Sequence, residues 1–292
     1  MSLVTQPFSD GIEKAVETAR EATPLVHCLT NTVVQNVTAN VLLAAGQAPA
    51  MVDHPGEAAT FASIASGVLI NTGTVAPHQV ESMPLAAEAA VKAGVPWVLD
   101  PVAIGALDVR TALAHRLLEL APTAIRGNAS EISALAGLGA GGRGVDTTDS
   151  VEESLPAAAS LAERTGAIVA VSGKRDLVVW DREGDIRALW LESGHDLMPR
   201  VIGTGCALGA TMAGYVSIAP VLEPLFSDAT FAPIDAKALA VLTAHAHFGA
   251  AGQLAGERAS RPGSFAVAWI DALDELSGAD IASRVSVAEA SA

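Results

Sequence analysis

Residues 96–102 read PWVLDPV. An apolar run this short, opened by proline and closed by aspartate and proline, fits a buried β-strand, because a helix needs about ten residues or more. The same shape recurs in PLVHCL (24–29), APAMV (48–52), GVLINTG (67–73), PTAIRGN (122–128) and GAIVAVSG (166–173). Strands that are apolar throughout belong to a parallel sheet covered on both faces. The alanine-rich segments 33–45, 76–94 and 150–165 lie between such runs and are long enough for crossover helices. The chain therefore predicts repeated βαβ units.

Beyond residue 173 the pattern changes. DLVVWD and IRALWL, separated by REGD, read as a hairpin whose turn contains Gly184, an antiparallel edge on the parallel sheet. GTGCALGATMAGYVSIA and AKALAVLTAHAHFGAAGQLAGE follow as two closely packed helices. The polar tail after about residue 280 is expected to fray. GLGAGGRGVDTTDS (137–150) is the glycine-rich loop, and its lack of a period argues against a repeat or a linker. One domain spanning residues 1–292 is the expectation.

Half of the 292 residues are hydrophobic and only 4% are aromatic, so the chain has the apolar content for a large core built from small side chains. The net charge of −15 opposes binding to nucleic acid or to an anionic membrane, and no basic run offsets it. The sequence shows neither a signal peptide pattern nor an apolar run of spanning length, which predicts a cytoplasmic protein. Cys28 and Cys206 are the only cysteines, and neither has a histidine or second cysteine at zinc-ligand spacing. A disulfide between them is not expected in a reducing compartment.

In open α/β sheets, ligands bind beyond the carboxyl ends of the strands. The polar strand ends here are CLTN, NTGT, LDPV, IRGNASE and VSGKRD. Any one of these residues could be only a turn or helix cap. Five in register point to a site.

The stretch GTGC (203–206) leads into a helix, where free backbone N–H groups and the helix dipole favour an anion. Gly203, Thr204 and Gly205 would hold the oxygens of a transferring phosphoryl group, and Cys206 would accept the proton of the attacking hydroxyl. A helix N-terminus is expected to lower the thiol pKa. Two other readings stand beside this one: Cys206 as a small apolar filler, and Cys206 as a nucleophile partnered by His27, His195 or His245. Asp100, Asn128 and Glu131 fit oxygen ligation of Mg²⁺, directly or through water. Asn128 and Glu131 also fit a helix capping box, and the two roles are compatible.

Together, VHCLTNTVVQNVTANVLLAAGQAPAMV, INTGT, LDPVAIGA, RGNASEI, AVSGKRD and VIGTGCALGA resemble the hydroxyethylthiazole kinases of the ribokinase-like superfamily, over nearly the whole chain. The resemblance implies a three-layer α/β/α fold with a mostly parallel central sheet. It implies ATP- and Mg²⁺-dependent phosphorylation of 4-methyl-5-(2-hydroxyethyl)thiazole, a salvage step toward thiamine. By matching position, Met51 and Gly203 would contact the thiazole, and Arg126 and Ser172 would contact ATP. Cys206 would stand where related kinases carry an aspartate base. The resemblance further implies a homotrimer with sites at subunit boundaries, where LTNTVV and APAMVDHP would face a neighbour. One departure is DPVAIGA, with Ala103 and Ile104 where DPVGVGA is usual. Competing readings are a kinase of a hydroxymethylpyrimidine or a sugar, a catalytically silent nucleotide-binding subunit, and a cysteine hydrolase.

Overall fold

The computed structural model describes residues 6–139, 150–224 and 234–290. Its centre is a nine-stranded sheet. The six apolar runs form β1 (Leu25–Leu29), β2 (Ala48–Ala50), β3 (Gly67–Asn71), β4 (Trp97–Asp100), β5 (Ala124–Asn128) and β6 (Ile168–Ser172). They pair in parallel in the spatial order β2-β1-β3-β4-β5-β6.

The hairpin follows as β7 (Asp176–Arg182) and β8 (Asp185–Glu192), antiparallel to β6 and to each other. Glu183 and Gly184 both take positive φ, 56° and 88°, as a two-residue turn matched to the strand twist requires. The expectation of a frayed tail is wrong. Residues Ser286–Glu289 form β9, which pairs antiparallel with β8, and Val287 is buried.

The helices are α1 (Gln6–Ala22), α2 (Gln35–Ala44), α3 (Pro55–Ala62), α4 (Pro77–Ala93), α5 (Asp108–Leu118), α6 (Ala129–Ala136), α7 (Leu155–Thr165), α8 (Thr204–Ser217), α9 (Ala219–Leu222), α10 (Ala236–Arg258), α11 (Pro262–Glu275) and α12 (Gly278–Ser283). Two apolar clusters form, one on each face of the sheet. Helices α3 to α7 cover one face, and α1, α2 and α8 to α12 cover the other. This is the three-layer ribokinase-like arrangement. Most of the glycine-rich loop (140–149) lies outside the described residues. Among the described residues, no helix is long and apolar enough to cross a membrane.

Small residues bring α8 down onto the sheet. A Cβ on Gly209 would stand 3.1 Å from Leu69 Cδ1 and 3.2 Å from Asp100 Oδ2, so the helix backbone rests on β3 and β4. That contact carries the start of α8 to the carboxyl ends of the parallel strands.

Candidate active site

Across five adjacent parallel strands the polar ends join into one line, in the order of the strands themselves. Asn31, two residues beyond β1, donates from Nδ2 to Asn71 Oδ1 at 3.0 Å. Asn71, the last residue of β3, donates to Asp100 Oδ2 at 2.7 Å. Asp100 ends β4, and its Oδ1 lies 3.7 Å from Arg126 Nη1 on β5. Arg126 Nε donates to the Ser172 hydroxyl at the end of β6, at 3.1 Å. The first turn of α8 closes over this line: Asn31 Nδ2 also donates to Cys206 Sγ at 3.3 Å.

The GTGC segment is built as its glycines suggest. Gly203 is the helix N-cap with φ 88°, a left-handed conformation, and a Cβ there would also strike Val37. The first N–H groups of a helix have no intrahelical acceptor, and here no side chain caps them. The Thr204 hydroxyl turns back to the Met198 and Val201 carbonyls. At Gly205 the guanidinium of Arg126 takes the side-chain space, since a Cβ would come within 2.9 Å of its Nη1. One cation and one uncapped helix end therefore face the same small volume, an arrangement that favours a phosphate.

Burial sets the protonation states. Asp100 is fully buried and its carboxyl is pushed up to about 7, because loss of solvent outweighs the attraction of Arg126 while Glu131 adds repulsion. Burial works against the Arg126 charge, yet Asp100 and Glu131 together raise its pKa, so it stays a cation. The Cys206 thiol is pushed up to about 11, by burial first and by Asp100 second. The expectation of a lowered thiol pKa at the helix N-terminus is thus overturned, and at neutral pH Cys206 carries its proton.

Glu131 and Asn128 form the capping box of α6. Asn128 Oδ1 accepts from the Glu131 N–H at 2.9 Å, and Glu131 Oε2 accepts from the Asn128 N–H at 2.9 Å. The other carboxylate oxygen accepts from the Ala103 N–H at 2.9 Å. Both oxygens of Glu131 are thus engaged with the backbone. Asp100 Oδ1 differs: it is buried and has no hydrogen-bond partner among the described residues. Among the described residues no three His, Cys, Asp or Glu side chains are grouped to hold a metal, so this oxygen, 3.7 Å from the Arg126 guanidinium, is the one point in the polar line with capacity for a hard cation.

Met51 follows β2, half-buried against the apolar cluster on the α8 side of the sheet, and lies outside the polar line. The histidines do not serve Cys206. His27 bonds Val52 O, His195 stacks on Phe265, and His245 pairs with Asp176 at 2.8 Å. A cysteine nucleophile activated by histidine is therefore not assembled.

Sequence reasoning did not single out Asn31 and Asn71, although CLTN and NTGT contain them. Their signal was position: each lies at the end of a buried strand on the Asp100 side of the sheet. Ala103, at the place where glycine is usual, takes φ 56°, which explains the glycine preference there.

The sequence model of the Hydroxyethylthiazole kinase family matches residues 16–279. The chain is 56% identical to the hydroxyethylthiazole kinase of Corynebacterium glutamicum (strain R), covering 93% of this chain and 96% of that protein. It is 51% identical to that of Klebsiella pneumoniae (strain 342), over 87% and 91%. Among solved structures, the hydroxyethylthiazole kinase protein from Pyrococcus horikoshii OT3 superposes with a TM-score of 0.81 at 33% identity, covering 97% of this chain and all of that one. A pyridoxal kinase from Staphylococcus aureus in complex with AMP-PCP and pyridoxal shares the fold, with a TM-score of 0.54 at 15% identity over 79% of this chain and 87% of that one. With its polar line, its uncapped helix end and these relatives, the chain belongs to the hydroxyethylthiazole kinase family and is a kinase of ribokinase-like fold.

Proposed function

We propose that the protein transfers the γ-phosphoryl group of ATP to the hydroxyl of 4-methyl-5-(2-hydroxyethyl)thiazole, a salvage step toward thiamine in the cytoplasm. The observation that carries this reading is the meeting of the α8 first turn, Arg126 and buried Asp100 beside the Cys206 thiol.

Phosphoryl transfer depends on positioning and charge stabilisation more than on covalent help from the protein. The N–H groups of Thr204, Gly205 and Cys206 hold the transferring oxygens, and Arg126, oriented by Ser172, offsets their charge. This matters in a chain of net charge −15, which otherwise repels ATP. Asp100 would hold Mg²⁺, with Glu131 and Asn128 acting through water, and the ion would supply charge neutralisation for the phosphate oxygens.

The substrate hydroxyl attacks in line, the bond to the ADP oxygen breaks, and the hydroxyl proton passes to Cys206 Sγ. With the thiol pKa near 11, the thiolate is the minor form at neutral pH, so turnover rises as pH rises. Met51 and Gly203 contact the flat, neutral ring, the sulfur of Met51 against its face. Edge strand β2 and the exposed side chains of Val33 and Ile202 support an assembly, a homotrimer, in which a neighbour completes the pocket.

The test is ADP release from Mg-ATP with and without the thiazole alcohol, and the mass of the product. Thiazole-dependent release with one phosphate added is the expected result. Equal or greater activity on a hydroxymethylpyrimidine or a sugar would replace the acceptor, and no release with any alcohol would defeat the reading.

A further inference from the structure

Three loops meet on the side of the sheet to which the proposed function assigns the acceptor: the end of β1 carrying Thr30 and Asn31, the β2–α3 connection carrying Met51 to Asp53, and the β3–α4 connection that ends at Ala76. One buried side chain touches all three. Gln79, in the first turn of α4, donates from Nε2 to the Thr30 carbonyl at 3.1 Å and to Asp53 Oδ2 at 3.1 Å. Its Oε1 accepts from the Ala76 N–H at 3.1 Å. Both carboxamide hydrogens and the oxygen are in use, in a residue that is 1% exposed.

Each tie leads to a group of the proposed site. Thr30 precedes Asn31, which holds Cys206 Sγ. Asp53 stands two residues after Met51, and between them the Val52 carbonyl meets His27 Nε2 at 2.6 Å. Burial holds His27 neutral, and since it faces a carbonyl there, Nε2 carries the hydrogen. The Met51 loop is thus pegged on both sides, by His27 and by Gln79.

We propose that Gln79 is a positioning residue for the acceptor: its single carboxamide sets the Met51–Asp53 loop and the Asn31–Cys206 arm at one fixed separation. The inference rests on the proposed function, in which Met51 meets the ring and Cys206 meets its hydroxyl. No other residue type does the same work here. Glutamate has no hydrogens to donate and would set a second carboxylate against Asp53. Leucine fills the space but leaves the Thr30 carbonyl and the Ala76 N–H without partners. The ATP side is held separately, by the Arg126–Ser172 bond, which Gln79 does not touch.

That separation supplies a readout that a merely structural role would not move. In the intact enzyme, Gln79→Leu should raise KM for the thiazole alcohol by about tenfold and lower kcat/KM for it by up to roughly a hundredfold, while KM for ATP stays within about twofold. Asp53→Ala, on the partly exposed partner, should reproduce most of the acceptor effect, and Asp53→Asn, which keeps an oxygen for Gln79, should restore it. In the double variant Gln79→Leu/Asp53→Ala the two losses should not add.

Unchanged KM values, or equal shifts in both, would overturn the inference. Should Gln79→Leu fail to fold, Asp53→Ala decides: a raised acceptor KM supports the proposal, and a wild-type value overturns it. Wild-type protein without thiazole-dependent turnover would instead defeat the proposed function, and this inference with it.

Discussion

The two ends of α8 bury polar groups in opposite ways. At its far end the Tyr215 hydroxyl meets His247 Nδ1 at 3.0 Å, and His247 Nε2 meets the Leu273 carbonyl at 2.8 Å. Burial pulls His247 down to about 4, so it is neutral; the carbonyl fixes its hydrogen on Nε2, and Tyr215 must donate to Nδ1. In that chain every polar group has a partner, and the Leu273 carbonyl that ends it also accepts from the Arg20 guanidinium at 3.1 Å. At the near end, Asp100 Oδ1 accepts no hydrogen bond, Arg126 keeps its charge, and the helix start is uncapped. One end ties α8 to α10 and α11, and the other is left with donors and an acceptor unsatisfied, which the proposed function assigns to a ligand.

The contrast is broken most severely at Arg126. Arg126→Met removes the cation that the proposed function sets against the phosphate, and leaves Asp100 without its counter-charge. We expect kcat/KM to fall by roughly 10³-fold or more in steady-state assays. A change below about tenfold would mean that the near end is as structural as the far one.

Cys206 sharpens the same comparison. Cys206→Ala should lower turnover by roughly 10²–10⁴, whereas Cys206→Asp should retain activity, because a carboxylate accepts the same proton. Wild-type turnover should climb with pH toward a midpoint near 11, and the aspartate variant should lose that climb. Near-wild-type turnover in the alanine variant would reduce Cys206 to a packing residue.

At the far end the effect should fall on stability alone. His247→Phe leaves the buried Tyr215 hydroxyl without its partner, while the Leu273 carbonyl keeps the Arg20 guanidinium, a cost of about 2 kcal/mol in urea unfolding, with kcat unchanged. The unfolded chain binds a proton near pH 6.5 that folded His247 refuses until about 4. Stability of the wild type should therefore be lost as pH falls through that window, and the variant should show a flatter dependence. An equal slope in both proteins would place the acid sensitivity elsewhere.

The smallest effect is expected at Ala103, whose φ of 56° is costly for a residue with a Cβ. Ala103→Gly should raise stability by about 1 kcal/mol by thermal unfolding. A loss instead would show that the methyl group packs usefully beside Glu131.

The six parallel strands, the hairpin and the GTGC helix start were legible because each is a local pattern of apolar runs and turn residues. β9 was not. Its run SVAE has a single buried valine between Ser286 and Ala288, too weak a period to read as a strand without the unpaired edge that β8 offers. The site was legible in its residue types, since Asp100, Arg126, Ser172 and Cys206 do assemble. The roles of Asn31, Asn71 and Gln79 depend on partners distant in sequence, which spacing does not reveal. The direction of the Cys206 shift was hidden for the same reason: a helix end is visible in sequence, but the burial that outweighs it is not.

The sheet grows along the chain almost in the order of synthesis, and this gives its two faces different histories. Helices α3 to α7 come from residues 55–165 and can pack as the strands beneath them emerge from the ribosome. The opposite face waits for α8 to α12, residues 204–283, and α1 packs on α12, made last of the helices. A nascent chain therefore exposes the apolar undersides of β1, β3 and β4 until α8 arrives. The same helix that covers them brings Cys206 beside Asn31, so the polar line is closed by the step that covers this part of the sheet, before α10 arrives over β6 to β8.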